Sequence, residues 1–177
     1  MKRTIAMLLA VIMLLSLTAC GGGAAGKNLE TFEMTVEPDG VEEPAKVTVG
    51  YPKNFTKEVK DWCVTLTDES KDVEIEAYFI NDYDCYAVNE EYAKEEYFFY
   101  EEGTFGDYKG YACLSDEASA ILEVYVYLEC VADIDDVYVC FYISSASGDL
   151  DANPQELYKL KEVKQVLNSV VYTAPAQ

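Results

Sequence analysis

Apolar and polar residues alternate along much of the chain, and the alternation predicts strands. Phe32, Met34 and Val36 alternate with Thr31, Glu33, Thr35 and Glu37, the two-residue period of a half-buried strand. Pro38-Asp39-Gly40 supplies turn chemistry after it. Val47 and Val49 open a second strand that ends at Tyr51-Pro52, because proline has no N–H to give a central ladder. Lys53 to Lys60 reads as a short helix or loop. Trp62, Val64 and Leu66 alternate again, and Asp68 to Asp72 turns the chain. Val73, Ile75, Ala77 and Phe79 then share a face opposed by Glu74, Glu76, Tyr78 and Ile80. The strongest strand patterns come late. Leu122, Val124, Val126 and Leu128 share one face, as do Val137, Val139, Phe141 and Ile143, and Cys130 to Asp136 joins the two segments as a hairpin.

Two segments carry a helical period instead. Asn89 to Glu102 (NEEYAKEEYFFYEE) has a capping asparagine, early acids that suit a helix N-terminus, and Ala93, Tyr97 and Tyr100 on one face. Gly103 is a fitting stop. Pro154 to Val170 repeats Leu157, Leu160, Val163, Leu167 and Val170 at three- and four-residue steps, with Lys159, Lys161 and Lys164 on the wet side. No internal repeat is visible, and no strand–helix alternation of the parallel type. The predicted fold is α+β: a mostly antiparallel sheet with one central helix and a C-terminal helix packed on it. It forms a single domain over residues 29–173, with a short tail at 174–177.

The order of elements resembles the PsbP/Mog1-like fold. The resemblance rests on the early hairpin, the Tyr51-Pro52-Lys53-Asn54-Phe55 segment, the long late strands, and a terminal helix ending in Leu167-Asn168-Ser169-Val170. It covers about Leu29 to Tyr172. It implies a small domain with helices on both sides of a sheet, of the kind found in accessory and binding proteins. It implies no particular chemistry and carries no functional residue over.

The N-terminal segment changes the picture. Lys2 and Arg3 precede an apolar run from Ile5 to Leu15, which is the build of a secretory signal. The run is shorter than the roughly 20 apolar residues that a helical span needs. Leu17-Thr18-Ala19-Cys20, followed by Gly21-Gly22-Gly23, resembles the lipobox of bacterial lipoproteins at every position. The resemblance implies that residues 1–19 are a lipoprotein signal peptide cleaved before Cys20. It further implies diacylglycerol on the Cys20 thiol, usually with an acyl chain on the new amine. Residues 20–28 then form a flexible tether, and the eight from Gly21 to Asn28 span roughly 15–17 Å on average. The expected location is extracytoplasmic, anchored to the bacterial cell membrane by lipid.

Charge and composition exclude several classes. The chain has 33 acidic and 13 basic residues and no histidine, for a net charge of −20. Losing Lys2 and Arg3 with the signal brings the body to −22. Nucleic acid is not an expected partner, because neutralising phosphates needs a basic face. Without histidine there is no Ser-His or Cys-His pair and no histidine metal site. The body is repelled by anionic lipid, so the lipid on Cys20 does the anchoring. Half of the residues are hydrophobic, which argues for a folded body despite the charge.

The remaining cysteines are Cys63, Cys85, Cys113, Cys130 and Cys140, an odd number with no C-x-x-C pair. Export permits disulfides, and buried free thiols are the alternative. Asp149-Leu150-Asp151-Ala152-Asn153 matches the opening of a calcium loop, but Pro154 stands where that loop needs glycine and Leu160 where it needs glutamate. A helix start fits better, with Asn153 as the cap, Pro154 first and Glu156 three residues after the cap. Asp82 and Asp84, and Asp133, Asp135 and Asp136, are acid clusters in loops that can bind calcium weakly. The alternative is plain solvation, and no cofactor is expected.

Fifteen tyrosines are many. Tyr78, Tyr125, Tyr127, Tyr138 and Tyr142 all oppose the aliphatic face of their own strands. If those strands are neighbours, the five make one aromatic face. Exposed, it grips a protein or a glycan; covered, it is the floor for a helix carrying Tyr92, Tyr97, Phe98, Phe99 and Tyr100. With 33 acids, some carboxylate pair always lies at a hydrolase spacing, so that pattern carries no information. No G-x-S-x-G or S-x-x-K motif occurs. The function expected from the sequence is therefore a non-catalytic binding or accessory domain at the cell envelope. A calcium-stabilised structural lipoprotein and a carboxylate hydrolase are the alternatives.

Overall fold

The computed structural model describes the backbone of residues 28–36, 45–60, 62–80, 83–128 and 137–174, and the side chains of these except 36, 80 and 83–89. In chain order the elements are β1 (Leu29–Val36), β2 (Ala45–Pro52), β3 (Thr56–Val59), β4 (Val64–Asp68), β5 (Val73–Ile80), α1 (Tyr83–Glu96) and β6 (Phe99–Phe105). Then follow β7 (Tyr108–Leu114), β8 (Leu122–Leu128), β9 (Val137–Ser144), α2 (Pro154–Tyr158), α3 (Lys161–Leu167) and β10 (Val171–Thr173). A seven-stranded sheet runs β3-β4-β5-β9-β8-β7-β6, and a three-stranded sheet runs β1-β2-β10. Every pairing is antiparallel. This is the α+β, sheet-dominated sandwich that the alternation predicts.

The two faces of the large sheet are chemically different because each long strand alternates two residue sets. Leu66, Ile75, Val124, Phe141 and Ile143 point to one side and are fully buried. Against them lie the small sheet, through Phe32, Val47, Val49 and Tyr51, and the C-terminal helices, through Tyr158, Val163, Val166 and Leu167. Each large side chain removed from water here contributes about 1.5–3 kcal/mol. The other side holds Tyr111, Cys113, Tyr125, Tyr138 and Cys140, with α1 laid across β6, β7 and β9. Among the described side chains of α1, Ala93 is buried against that face.

Several boundaries differ from the sequence expectation. Lys53 to Lys60 is neither helix nor plain loop: a turn leads into the edge strand β3, whose four residues are all exposed. The central helix starts at Tyr83 rather than at an Asn89 cap, and it ends at Glu96. Tyr97 and Phe98 follow it, and Phe99 and Tyr100 belong to β6, where Gly103 is a mid-strand residue rather than a helix stop. Phe99, Glu101, Gly103 and Phe105 alternate with Tyr100, Glu102 and Thr104, and pairing with β7 selects that period over the helical one. The hairpin closes through Gly106-Asp107. Gly106 takes φ 63°, the backbone conformation that the first position of a II′ turn requires.

The C-terminal segment is two short helices, because Leu160 is extended (ψ 138°) and caps α3 without a side-chain bond. Beyond the predicted helix, Val171–Thr173 form β10, a strand that the sequence reading did not include. Asn153 caps α2 as expected: its Oδ1 accepts the Gln155 N–H at 2.9 Å, and Pro154 sits in the first turn. Trp62, which alternates with Val64 and Leu66 in the sequence, lies before β4 and stands exposed in the β3–β4 turn.

Candidate functional site on the tyrosine face

Register places the five singled-out tyrosines on one face. Tyr78 of β5 is opposite Cys140 of β9, and Cys140 is opposite Tyr125 of β8. Tyr127 pairs with Tyr138, and Tyr125 with Tyr111 of β7, a residue that the sequence reading did not single out. One row to the side, Glu76, Tyr142, Glu123 and Cys113 are successive partners across β5, β9, β8 and β7. Tyrosines, glutamates and thiols thus tile the face.

The centre of the face is closed and one end is open. Tyr111, Tyr125, Tyr138, Cys113 and Cys140 are buried, while Tyr78, Tyr127 and Tyr142 are half-buried. Glu90 of α1 accepts the Tyr100 hydroxyl at 3.1 Å, and Lys94 of α1 meets Glu102 of β6 at 2.5 Å. These contacts fix α1 over the β6 side. The covering is therefore made by α1 with Ala93 and Glu90, not by a helix carrying Phe98, Phe99 and Tyr100.

At the opposite end Trp62 is 66% exposed, an unusual setting for the only tryptophan in the chain. Its indole packs on Tyr78 with centroids 5.3 Å apart, and Tyr78 packs on Tyr142 at 4.9 Å. Trp62 also walls a cleft of about 400 Å³ between β1 and the β3–β4 turn. Glu33, Thr35 and Lys60 are the polar lining, and Met34, Val59, Cys63, Val64 and Phe79 the apolar lining. That volume lies in the range of small-ligand and side-chain pockets. Val59, 67% exposed, extends the apolar rim.

The hydroxyls are tied to carboxylates. Tyr78 donates to Glu76 at 2.7 Å, Tyr125 donates to Glu123, and Glu76 also meets Lys60 at 3.3 Å. Burial, then the bond and charge of Glu76, push the Tyr78 phenol well above its ordinary range. Burial does the same for Tyr125, helped by its neighbours Cys140 and Glu123. The Cys113 thiol is pushed up to about 12 by burial and by Glu123, and Cys140 is raised too, chiefly by burial. Cys63, Cys113 and Cys140 are buried free thiols. All three stay protonated at neutral pH and act as small apolar groups.

The remaining candidates fall elsewhere. Cys20, Cys130, Asp82, Asp133, Asp135 and Asp136 lie outside the described residues, as do the side chains of Asp84 and Cys85. Among the described residues no three acids or cysteines gather as a metal site would need, and no helix is long and apolar enough to cross a membrane. A second cleft, of about 470 Å³, lies between residues 114–119 and the start of α2, with Leu150 78% exposed at its rim. Comparison of the chain with protein-family models, with curated proteins and with solved structures finds no match in any of the three.

Proposed function

We propose that this chain is a lipid-anchored, extracytoplasmic, non-catalytic binding domain that meets a partner at the cell envelope with the Trp62 end of its tyrosine face. The observation that carries the reading is Trp62 itself. A large aromatic ring left in solvent, backed by Tyr78 and bordering a cleft, is an exposed anchor, and aromatic anchors dominate binding energetics. Because the indole packs on Tyr78, which Tyr142 backs in turn, little rotamer freedom is lost on binding. The partner is a protein or glycan surface. The lipid on Cys20 and the tether to Asn28 keep the acidic body near the membrane without pressing it against anionic headgroups. An accessory role of this kind is also what the sequence's resemblance to the PsbP/Mog1-like fold implies.

Two measurements test the proposal. An alkyne-tagged fatty acid fed to the producing bacterium should label the protein, and Cys20→Ala should abolish the label and release the protein from membranes. Trp62, as the only tryptophan, reports its own surroundings. Its emission should shift to the blue when solubilised envelope fractions are added and should stay unchanged with cytosolic fractions. Emission indifferent to both removes the binding surface from the account.

A further inference from the structure

The tyrosine face is more regular than packing requires. From the surface inward, Trp62 lies 5.3 Å from Tyr78, and Tyr78 lies 4.9 Å from Tyr142. The Cys140 sulfur sits against the hydroxyls of both Tyr142 and Tyr125. Tyr125 then stacks on Tyr111 at 4.9 Å, and Tyr111 on Tyr100 at 5.5 Å. Every member of this row can give up one electron, and neighbours are in or near van der Waals contact. The phenols also have a place to send their protons: Tyr78 donates to Glu76, and Tyr125 to Glu123. Phenylalanine would fill the same space without burying a hydroxyl and drawing a carboxylate after it, a cost that a purely structural face avoids.

We propose that this row is a one-electron relay that carries oxidising equivalents from Trp62 to the buried Tyr125–Glu123 pair. An external one-electron oxidant, such as an oxygen-centred radical, takes an electron from the indole and leaves its radical cation. Tyr78 gives an electron to the indole and its phenolic proton to Glu76. That restores Trp62 and leaves a neutral tyrosyl radical beside a protonated carboxyl. Tyr125 next gives an electron to Tyr78 through the Cys140 and Tyr142 link between them, Tyr78 takes its proton back from Glu76, and the Tyr125 proton passes to Glu123. In sum, one electron leaves Tyr125 for the oxidant, which is reduced, and one proton moves from Tyr125 to Glu123. The radical rests where water and other molecules do not reach it, since Tyr125 is buried.

The test is flash photolysis of the full-length protein with tris(bipyridine)ruthenium as the photo-oxidant and persulfate as its electron acceptor. The relay predicts that the indolyl radical decays as a tyrosyl radical rises, at a rate independent of protein concentration. Tyr78→Phe keeps the ring and the fold but has no proton to give, so indolyl decay should slow about tenfold or more. Glu123→Gln should leave indolyl decay unchanged and shorten the life of the tyrosyl signal in electron paramagnetic resonance. Circular dichroism checks that both variants fold, and Glu76→Gln stands in for Tyr78→Phe if that variant does not. Indolyl decay that ignores Tyr78→Phe, decay that depends on protein concentration, or the absence of a tyrosyl signal in the wild type overturns the relay.

Discussion

Ser169 and Gly50 lie 119 positions apart and share two close contacts: the Gly50 N–H donates to the Ser169 hydroxyl oxygen at 2.7 Å, and that hydroxyl lies 2.8 Å from the Gly50 carbonyl. The same hydroxyl is 2.6 Å from the Val166 carbonyl at the end of α3. One buried side chain therefore fastens the C-terminal helix to β2. Ser169→Ala leaves the Gly50 N–H buried without this partner. The expected loss is about 1–3 kcal/mol in a urea melt. A change under about 0.5 kcal/mol, the range of ordinary surface substitutions, would show that the clamp does not hold the helix.

Gly110 of β7 tolerates no side chain. A Cβ there would stand 2.1 Å from the Tyr125 carbonyl oxygen and 3.0 Å from the Phe105 ring. Gly110→Ala should cost about 3 kcal/mol or more, because the obstacle is backbone and cannot swing away. The variant should also disturb the near-ultraviolet circular dichroism of the tyrosines on the neighbouring strands. A stable variant with an unchanged spectrum would mean that β7 and β8 are spaced more widely than described.

Two turn carboxylates set an acid limit. Asp72 takes the left-handed φ of 51°, and its carboxylate accepts the Ser147 N–H at 2.7 Å and the Ser145 hydroxyl at 2.8 Å. These bonds, Ser145 first, hold its carboxyl below 3.8. Asp68 is 2% exposed; burial pushes its carboxyl up, but hydrogen bonds from Ser70 and Asn54 outweigh burial and leave it lowered. A carboxyl lowered in the folded state adds stability above its unfolded value, and that stability is lost as pH falls through the folded value. The gap in melting temperature between the wild type and Asp72→Asn should thus be largest near about pH 6, begin to shrink as pH falls past about 3.9, and close only below the lowered folded value. Asparagine accepts the same φ, so strain is unchanged. Relief of repulsion among the 33 acids affects both proteins alike. A gap independent of pH would rule out the charge as the source.

Cys63, Cys113 and Cys140 should resist a thiol reagent in the folded protein at neutral pH and react once guanidinium unfolds it. Burial raises all three, and the thiolate is the reactive form. Fast reaction of Cys113 or Cys140 in the folded state, mapped by mass spectrometry, would show the face to be more open than its buried tyrosines imply; fast reaction of Cys63 would show the cleft to be deeper than described.

The strands that bury one face were legible because period two survives in Phe32 to Val36, Val73 to Phe79 and Leu122 to Leu128. The aromatic face was legible for the same reason: Tyr78, Tyr125 and Tyr127 occupy the off-phase of β5 and β8, and Tyr138 and Tyr142 that of β9, where Val137 to Ile143 also keeps period two. Strand β6 was not legible. In Tyr97 to Phe105 nearly every residue is aromatic or acidic, so helical and strand periods fit equally well, and pairing with β7 decides. The break at Leu160 was hidden because Leu157, Leu160 and Val163 keep a helical step across it. Trp62 was misread because a turn residue next to a strand mimics one more step of alternation. Its exposure is set by the β3–β4 turn, which no local pattern reveals.

The central claim is that partners meet the Trp62 end of the tyrosine face. A photo-crosslinking amino acid placed at position 62 tests it most directly, in the full chain expressed in living cells, with the same group at exposed Leu150 beside the other cleft for comparison. The account predicts a discrete crosslinked product from position 62 and none from position 150, and it predicts that the product is lost in Cys20→Ala, the change proposed to remove the lipid. Products of equal yield from both positions, or from position 150 alone, would contradict it.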